Sequence, residues 1–167
     1  MAAVTHAQAP YDLDDLAEVA RLHRAAGRRV VVCHGCFDLL HVGHLRYLEA
    51  ARKQGDVLLV TVTPDGLVNK GTDRPVFPAE QRAEMLAALR AVDGVAINRW
   101  PTAVEMLNLI QPDAYAKGAE YAEDANDPAS PVGRERAAAE AHGGRLVLIE
   151  TPKFSSTAIL RQITSDR

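Results

Sequence analysis

The sequence predicts an α/β fold, a Rossmann-like doubly wound parallel sheet of five strands in a single domain. Three observations predict it. Short apolar runs alternate with helix-period segments along most of the chain. The run "DVLLVTVT" has no polar face, as in strands covered on both sides. The 167 residues, 47% of them apolar, suit one domain with a sizeable core.

Residues 1–10 show no periodicity and are expected to be a flexible N-terminus ahead of a domain spanning 11–167. In "YDLDDLAEVARLHRAAG", Leu13, Leu16, Ala17 and Ala20 recur at helical spacing, with acids in the first turn where the helix dipole favours them. "RRVVVCH" reads as the first strand, "GHLRYLEAARKQG" as a helix stopped at Gly55, and "DVLLVTVT" as the strand completing a βαβ unit. The alternation continues through helix "AEQRAEMLAALRAV" after Pro78, strand "GVAIN", helix "TAVEMLNLI" after Pro101 and strand "DAYAK". Helix "GRERAAAEAH", strand "RLVLIE" and a last helix from about Ser155 complete it. The acidic, proline-containing stretch around 121–133 is expected to be a long flexible loop. Ligands of such sheets sit beyond the carboxyl ends of the strands, so the loops after the strands are the places to seek function.

Composition narrows that function. A net charge of −3 gives no basic footprint, which argues against nucleic acid and anionic membrane as partners and in favour of small charged ligands. No apolar run approaches the roughly 18 residues of a membrane span, and "MAAVTHAQAP" lacks the features of a signal peptide, so the cytoplasm is the expected location. Cys33 and Cys36, the two cysteines, are too few for a disulfide scaffold and are expected to be thiols.

Both fall in "VVVCHGCFDLLHVGH", Val30 to His44, which also holds three histidines. Zinc ligation by Cys33, Cys36, His41 and His44 is chemically sensible, but only four residues separate Cys36 from His41, too few for the chain to fold back around the metal. A thioredoxin-like Cys33-His34-Gly35-Cys36 centre needs its first cysteine at a helix start, whereas the helix pattern begins near Gly43 and Cys33 continues an apolar strand. Cys33 therefore reads as a buried small hydrophobe. Phosphate fits better. Gly35 allows a sharp turn after the strand, and Gly43 allows close approach to the amides opening the next helix. His41 and His44, three residues apart, can both donate to phosphoryl oxygens. His6, His23 and His142 lack such a setting and read as surface or capping residues.

The segment "GCFDLLHVGHLRYLEAARKQGD" resembles the signature of the cytidylyltransferase-like nucleotidyltransferase superfamily, whose mark is HxGH at the first strand-to-helix turn. "DRPVFPAEQRAEMLAALRAVD", "QPDAYAKGAEY" and "FSSTAIL" are similar, in the same order, to segments of the adenylyltransferase domain of bifunctional ADP-heptose synthases. The resemblance implies joining a nucleoside triphosphate to a phosphorylated acceptor with release of pyrophosphate, with Mg2+ carried by the triphosphate and no metal ligand from the protein. It implies that Cys36 and Phe37 contact the nucleotide, that Asp38 fixes the loop through backbone hydrogen bonds, and that His41 and His44 stabilise charge at the α-phosphorus.

Cations for the remaining phosphates are sought in the loop after the second strand: Lys70 first, as a catalytic group, then Arg74 and Arg82. Ser155, Ser156 and Thr157 resemble the superfamily's Ser/Thr-rich second motif at the triphosphate. That motif begins with arginine in cytidylyltransferases acting on glycerol phosphate or choline phosphate, as RTxGISTT. Here the chain reads "ETPKFSST", with Glu150 in the arginine's place and Lys153 as a partial substitute, which favours ATP over CTP. "KGAEY" resembles KGxDY and implies roles for Lys117 and Gly118 at the nucleotide, and for Lys117, Glu120 and Tyr121 at the acceptor; Arg90 and Trp100 also fall near acceptor positions. The expected acceptor is a sugar 1-phosphate resembling heptose 1-phosphate, although the 121–133 insertion departs most from the heptose relatives. A CTP-dependent enzyme acting on an alcohol phosphate, and a binding module without turnover, are the alternatives. Homodimerisation is implied by the superfamily, and a separate sugar kinase is expected upstream unless the chain is an excised domain.

Overall fold

Val30–Gly35 forms the central strand, β1, of a five-stranded sheet. Val57–Val62 (β2) and Gly94–Ile97 (β3) extend the sheet on one side, and Ala114–Gly118 (β4) and Arg145–Ile149 (β5) on the other. The order is β3-β2-β1-β4-β5 with every pairing parallel, in a computed structural model that describes residues 10–71, 73–152 and 161. The expected final helix from Ser155 and most of the N-terminal segment lie outside the described residues.

The sheet is covered on both faces, which is why β1 and β2 are continuously apolar. Val31, Cys33, Leu58, Val60 and Val62 pack against Leu48 and Ala51 of Val42–Arg52 (α2) and Ala83 and Leu86 of Ala79–Ala87 (α3). One residue out of phase, Val30, Val32, Leu59 and Tyr115 meet three further described helices: Leu13–Ala25 (α1), Val104–Ile110 (α4) and Pro131–Glu140 (α5). Each large aliphatic side chain removed from water here contributes about 1.5–3 kcal/mol.

Asp12 caps α1 by accepting from the Asp14 amide, and Ser130 caps α5 by accepting from the Gly133 amide at 2.8 Å with Pro131 in the first turn. The apolar period predicts α3 through Val92, yet the helix ends at Ala87 and continues as turns closed by Leu89 N to Leu86 O and Val92 N to Leu89 O. These turns bury Val92 and bring the Asp93 carboxylate within 2.8 Å of the Leu58 amide, which donates to it. Around 121–133 the chain forms single 3-10 turns at Ala119–Tyr121 and Asp124–Asn126, tied by the Ser130 hydroxyl donating to Asp124 O. A Cβ on Gly133 would lie 1.9 Å from Asp127 O, so this stretch rests directly on the start of α5.

After β3 the chain crosses to the far side of β1 to form β4. The connections leaving β1 and β4 therefore diverge and open a cleft at the carboxyl edge.

Candidate active site

The β1–α2 turn is made by two non-glycine residues in left-handed conformation, Phe37 at φ 50° and Leu39 at φ 51°. Each costs on the order of 1 kcal/mol, so the surroundings must hold them. The Phe37 ring is buried and meets the His44 ring edge-on at 5.7 Å between centroids. A Cβ on Gly35 would lie 3.2 Å from that ring. The sharp turn expected of Gly35 thus belongs to Phe37 and Leu39, while Gly35 ends the strand and leaves room for the aromatic ring.

Asp38 is buried and accepts from Arg74 Nε at 2.7 Å, Val76 N at 2.9 Å and Phe77 N at 3.1 Å. Burial pushes its pKa up, but the Val76, Arg74 and Phe77 hydrogen bonds outweigh that and keep the carboxyl below its ordinary value. The loop fixed by Asp38 is therefore the one that carries Lys70.

His41 and His44 cap α2 reciprocally. His41 Nδ1 accepts from the Gly43 amide at 3.0 Å, and the His41 amide donates to His44 Nδ1 at 3.3 Å. The two rings stack at 4.0 Å between centroids. With each Nδ1 accepting, the neutral imidazoles carry their proton on Nε2. Burial lowers the pKa of both. Lys70 adds to this for His41, and His41 and Lys70 add to it for His44, which falls to about 4 against the opposing pull of Asp38. At neutral pH the pair therefore offers two N–H donors without net charge.

A cleft of about 750 Å³ opens in front of them. Gly35, Cys36, Phe37 and Gly43 line it with the two histidines. Lys70 lines it from the loop after β2, and Lys117, Gly118, Glu120 and Tyr121 line it from the end of β4. Lys117 Nζ lies 3.0 Å from Glu135 Oε2 and over the rings of Tyr121 at 5.0 Å and Tyr115 at 5.5 Å. A Cβ on Gly118 would fall 2.1 Å from Glu120 Oε2, so the glycine lets that carboxylate fold across the backbone. A second groove, of about 850 Å³, lies between Tyr11, α3 and the β3 edge and contains none of these groups.

Four expected cations and aromatics lie elsewhere. Arg82 is fully buried and donates to Phe77 O, Cys36 O, Thr63 O and Asp65 Oδ1, tying the β1–α2 turn to the β2–α3 loop beneath the cleft instead of facing it. The Arg74 side chain, 7% exposed, is paired with Asp38 in the same way. Arg90 is exposed between α3 and β3, at the amino ends of the strands and so opposite the cleft. Trp100 packs on the α1–α4 face beyond the edge strand β3, with the Arg99 guanidinium 5.1 Å above its ring. Lys153, Ser155, Ser156 and Thr157 lie outside the described residues. Cys33 is buried, and burial raises its thiol pKa to about 12, in keeping with a packing role. Cys36 stands at the cleft, and among the described residues no group of three or more His, Cys, Asp or Glu could hold a metal ion.

Sequence reading passed over two groups at the site. Glu135 sits in a helix with no motif, and only its burial with Lys117 and Tyr115, whose hydroxyl donates to it at 2.9 Å, reveals it. His34 pairs in register with Thr61, a polar residue inside an otherwise apolar strand, which was the available signal.

Comparison with known proteins places this geometry. The model of the family described as cytidylyltransferase-like matches residues 32–162, from within β1 to beyond β5. The chain belongs to this family. Its HxGH pair is thus set in a nucleotidyltransferase domain, as the sequence resemblance implied. The bifunctional protein HldE of Methylobacillus flagellatus is 41% identical over 157 residues, covering 92% of this chain and 31% of that protein. HldE of Syntrophotalea carbinolica is 36% identical over 156 residues, covering 92% and 30%. The chain therefore spans about a third of the length of these relatives. A lipopolysaccharide core biosynthesis protein from Thermoplasma volcanium superposes with a TM-score of 0.60 at 25% identity, covering 77% of this chain and all of that one. The cytidylyltransferase-like domain has no described helix long and apolar enough to cross a membrane.

Proposed function

We propose that this domain transfers AMP from ATP to a sugar 1-phosphate resembling heptose 1-phosphate, forming a nucleotide-sugar and pyrophosphate. The observation that carries the reading is the reciprocal cap of His41 and His44, which engages both Nδ1 atoms at the α2 terminus and sets the two rings in the cleft that Lys70 also lines. An acceptor phosphate oxygen attacks the α-phosphorus, a new P–O bond forms, and the bond to the bridging oxygen of pyrophosphate breaks with both electrons leaving on that oxygen. The imidazoles hydrogen-bond the α-phosphoryl oxygens as charge builds on them, and Lys70 neutralises the leaving phosphates. No covalent enzyme intermediate is required.

The cleft's imidazoles and lysines, with Glu120 the one lining carboxylate among the described residues, would suit magnesium carried in on the triphosphate rather than one caged by the protein. Bound there, magnesium supplies charge neutralisation. Lys117, pinned by Glu135 at the mouth of the cleft, takes the acceptor side, and Ser155, Ser156 and Thr157 the triphosphate. In this reading a separate sugar kinase supplies the acceptor. The domain acts as a homodimer in this reading.

The test is pyrophosphate release with magnesium, pairing ATP, CTP, GTP and UTP with heptose 1-phosphate, other sugar 1-phosphates, glycerol 3-phosphate and phosphocholine. Release with ATP and a sugar 1-phosphate is expected. Release only with CTP and an alcohol phosphate overturns the nucleotide and acceptor assignments, and silence throughout overturns turnover itself.

A further inference from the structure

Strand alternation divides the cleft into two walls. The α2 helix with His41 and His44 packs on the face of Val31 and Cys33, whereas His34 follows the phase of Val30 and Val32 onto the opposite face. There His34 Nδ1 hydrogen-bonds Thr61 Oγ1 at 2.9 Å, directly across from it in register, and Thr63 Oγ1 stands 3.5 Å from His34 Nε2. Lys117, next along β4 from the Ala116 that pairs with Cys33, stands on the other side of the imidazole. His34, Thr63 and Lys117 all line the cleft.

The two walls differ in chemistry. Around His41, His44 and Lys70 everything suits an anion. Around His34 the groups are an uncharged imidazole and hydroxyls, because burial and then the Lys117 charge lower the His34 pKa to about 3, and because the Lys117 ammonium is itself paired with Glu135. A neutral imidazole has one donor and one acceptor. The short contact to Thr61 occupies the Nδ1 side, while the long one at Nε2 and the Thr63 hydroxyl leave hydrogen-bonding capacity toward the cleft. Groups of this kind match neutral hydroxyls, which both donate and accept, better than phosphate, which accepts only.

We infer that His34 and Thr63 form a hydroxyl-recognising subsite that binds the sugar portion of a substrate, while the HxGH wall holds its phosphates. The inference rests on the nucleotidyltransferase reading above and deepens it. Two sources share the chemistry, the ribose of the nucleotide and the sugar of the acceptor. His34 is a specificity residue here, and Thr61 positions it.

Steady-state pyrophosphate release is measured for the wild type, His34→Ala, His34→Asn and Thr63→Val, with ATP, 2′-deoxyATP, the active sugar 1-phosphate and its deoxy analogues, alongside thermal melting. His34→Ala is expected to raise one KM tenfold or more with a much smaller change in kcat, and His34→Asn to recover part of the loss. Against the deoxy form of that substrate the rise should shrink below twofold. A rise confined to ATP identifies ribose, and one confined to the sugar phosphate identifies the acceptor. Folded His34→Ala and Thr63→Val proteins with both KM values within twofold of the wild type would falsify the subsite, as would a rise that persists undiminished on every deoxy analogue. If His34→Ala does not fold, Thr63→Val at the rim of the network carries the same comparison. A wild type silent with every substrate overturns the nucleotidyl-transfer reading instead. Calorimetric titration of ATP, 2′-deoxyATP and the sugar phosphates into wild type and variant then decides the subsite, with unchanged affinities sinking it.

Discussion

Arg74 and Asp38, 36 residues apart, form a buried ion pair with Nε 2.7 Å from Oδ2, joining the β1–α2 turn to the loop that carries Lys70. Asp38 also takes the amides of Val76 and Phe77, so one carboxylate holds both the left-handed turn before HxGH and the return of the loop toward it. Removing one partner of such a pair strands a buried charge. Asp38→Ala is expected to destabilise the fold by about 3 kcal/mol or more, and Asp38→Asn, which keeps an acceptor for the amides, by less. Urea denaturation of both variants checks the order, and equal losses would contradict the role given to the backbone hydrogen bonds.

The histidine pair makes a kinetic prediction. His41→Ala or His44→Ala should lower kcat at least about a hundredfold, corresponding to a few kcal/mol of lost transition-state stabilisation, because each removes one donor to developing charge. Near-normal turnover in a folded variant would exclude the mechanism.

Two histidines of the cleft give the stability a pH dependence. His34 and His44, with folded pKa values of about 3 and about 4 against 6.5 when exposed, bind protons more readily in the unfolded chain. The stability this represents is intact above pH 6.5 and is lost as pH falls from there toward 4 and then 3. Melting temperature should decline over that window, and the decline should be shallower in His34→Asn. A melting curve independent of pH between 6.5 and 4 would contradict the burial of the two rings.

Arg82 was expected at the nucleotide and instead ties the β1–α2 turn to the β2–α3 loop from below. Arg82→Lys cannot reproduce the fork of donors to Phe77, Cys36, Thr63 and Asp65, so it should lower the melting temperature by several degrees. Dissociation constants for ATP, measured well below the melting transition, should move less than those of Lys70→Ala. The reverse ranking would put Arg82 back at the ligand.

Two glycines separate a soft contact from a hard one. Gly133→Ala drives a Cβ to 1.9 Å from the Asp127 carbonyl, and the backbone there must shift, so a loss of about 1–3 kcal/mol is expected. Gly118→Ala meets first the end of the Glu120 side chain, at 2.1 Å, which can swing away. Its expected effect is on cleft shape and KM rather than on melting temperature, and comparable melting losses in the two variants would refute the distinction.

Much of this molecule could be read from local pattern. The alternation of apolar strands and helix-period segments determined the parallel sheet, because a strand buried on both faces must be apolar throughout and a helix crossing over it must be apolar on one side. HxGH after a strand determined the histidine cap that opens α2 at the cleft, since backbone amides and ring nitrogens at a helix start are fixed by a few consecutive residues. Tertiary structure decided the fate of Arg74 and Arg82. Arg74 and Arg82 lie in the loop and helix where phosphate ligands were sought, yet the buried Asp38, the exposed Asp65 and the Cys36 carbonyl, 17 to 46 residues away, claim them. Position along the chain placed Arg90 and Trp100 near an acceptor, but the strand order put one at the amino edge and the other beyond β3. His34 became part of the cleft only when β2 brought Thr61 alongside and β4 brought Lys117. Local sequence sets backbone conformation and burial periodicity, whereas the partner of a flexible charged group depends on which strands become neighbours.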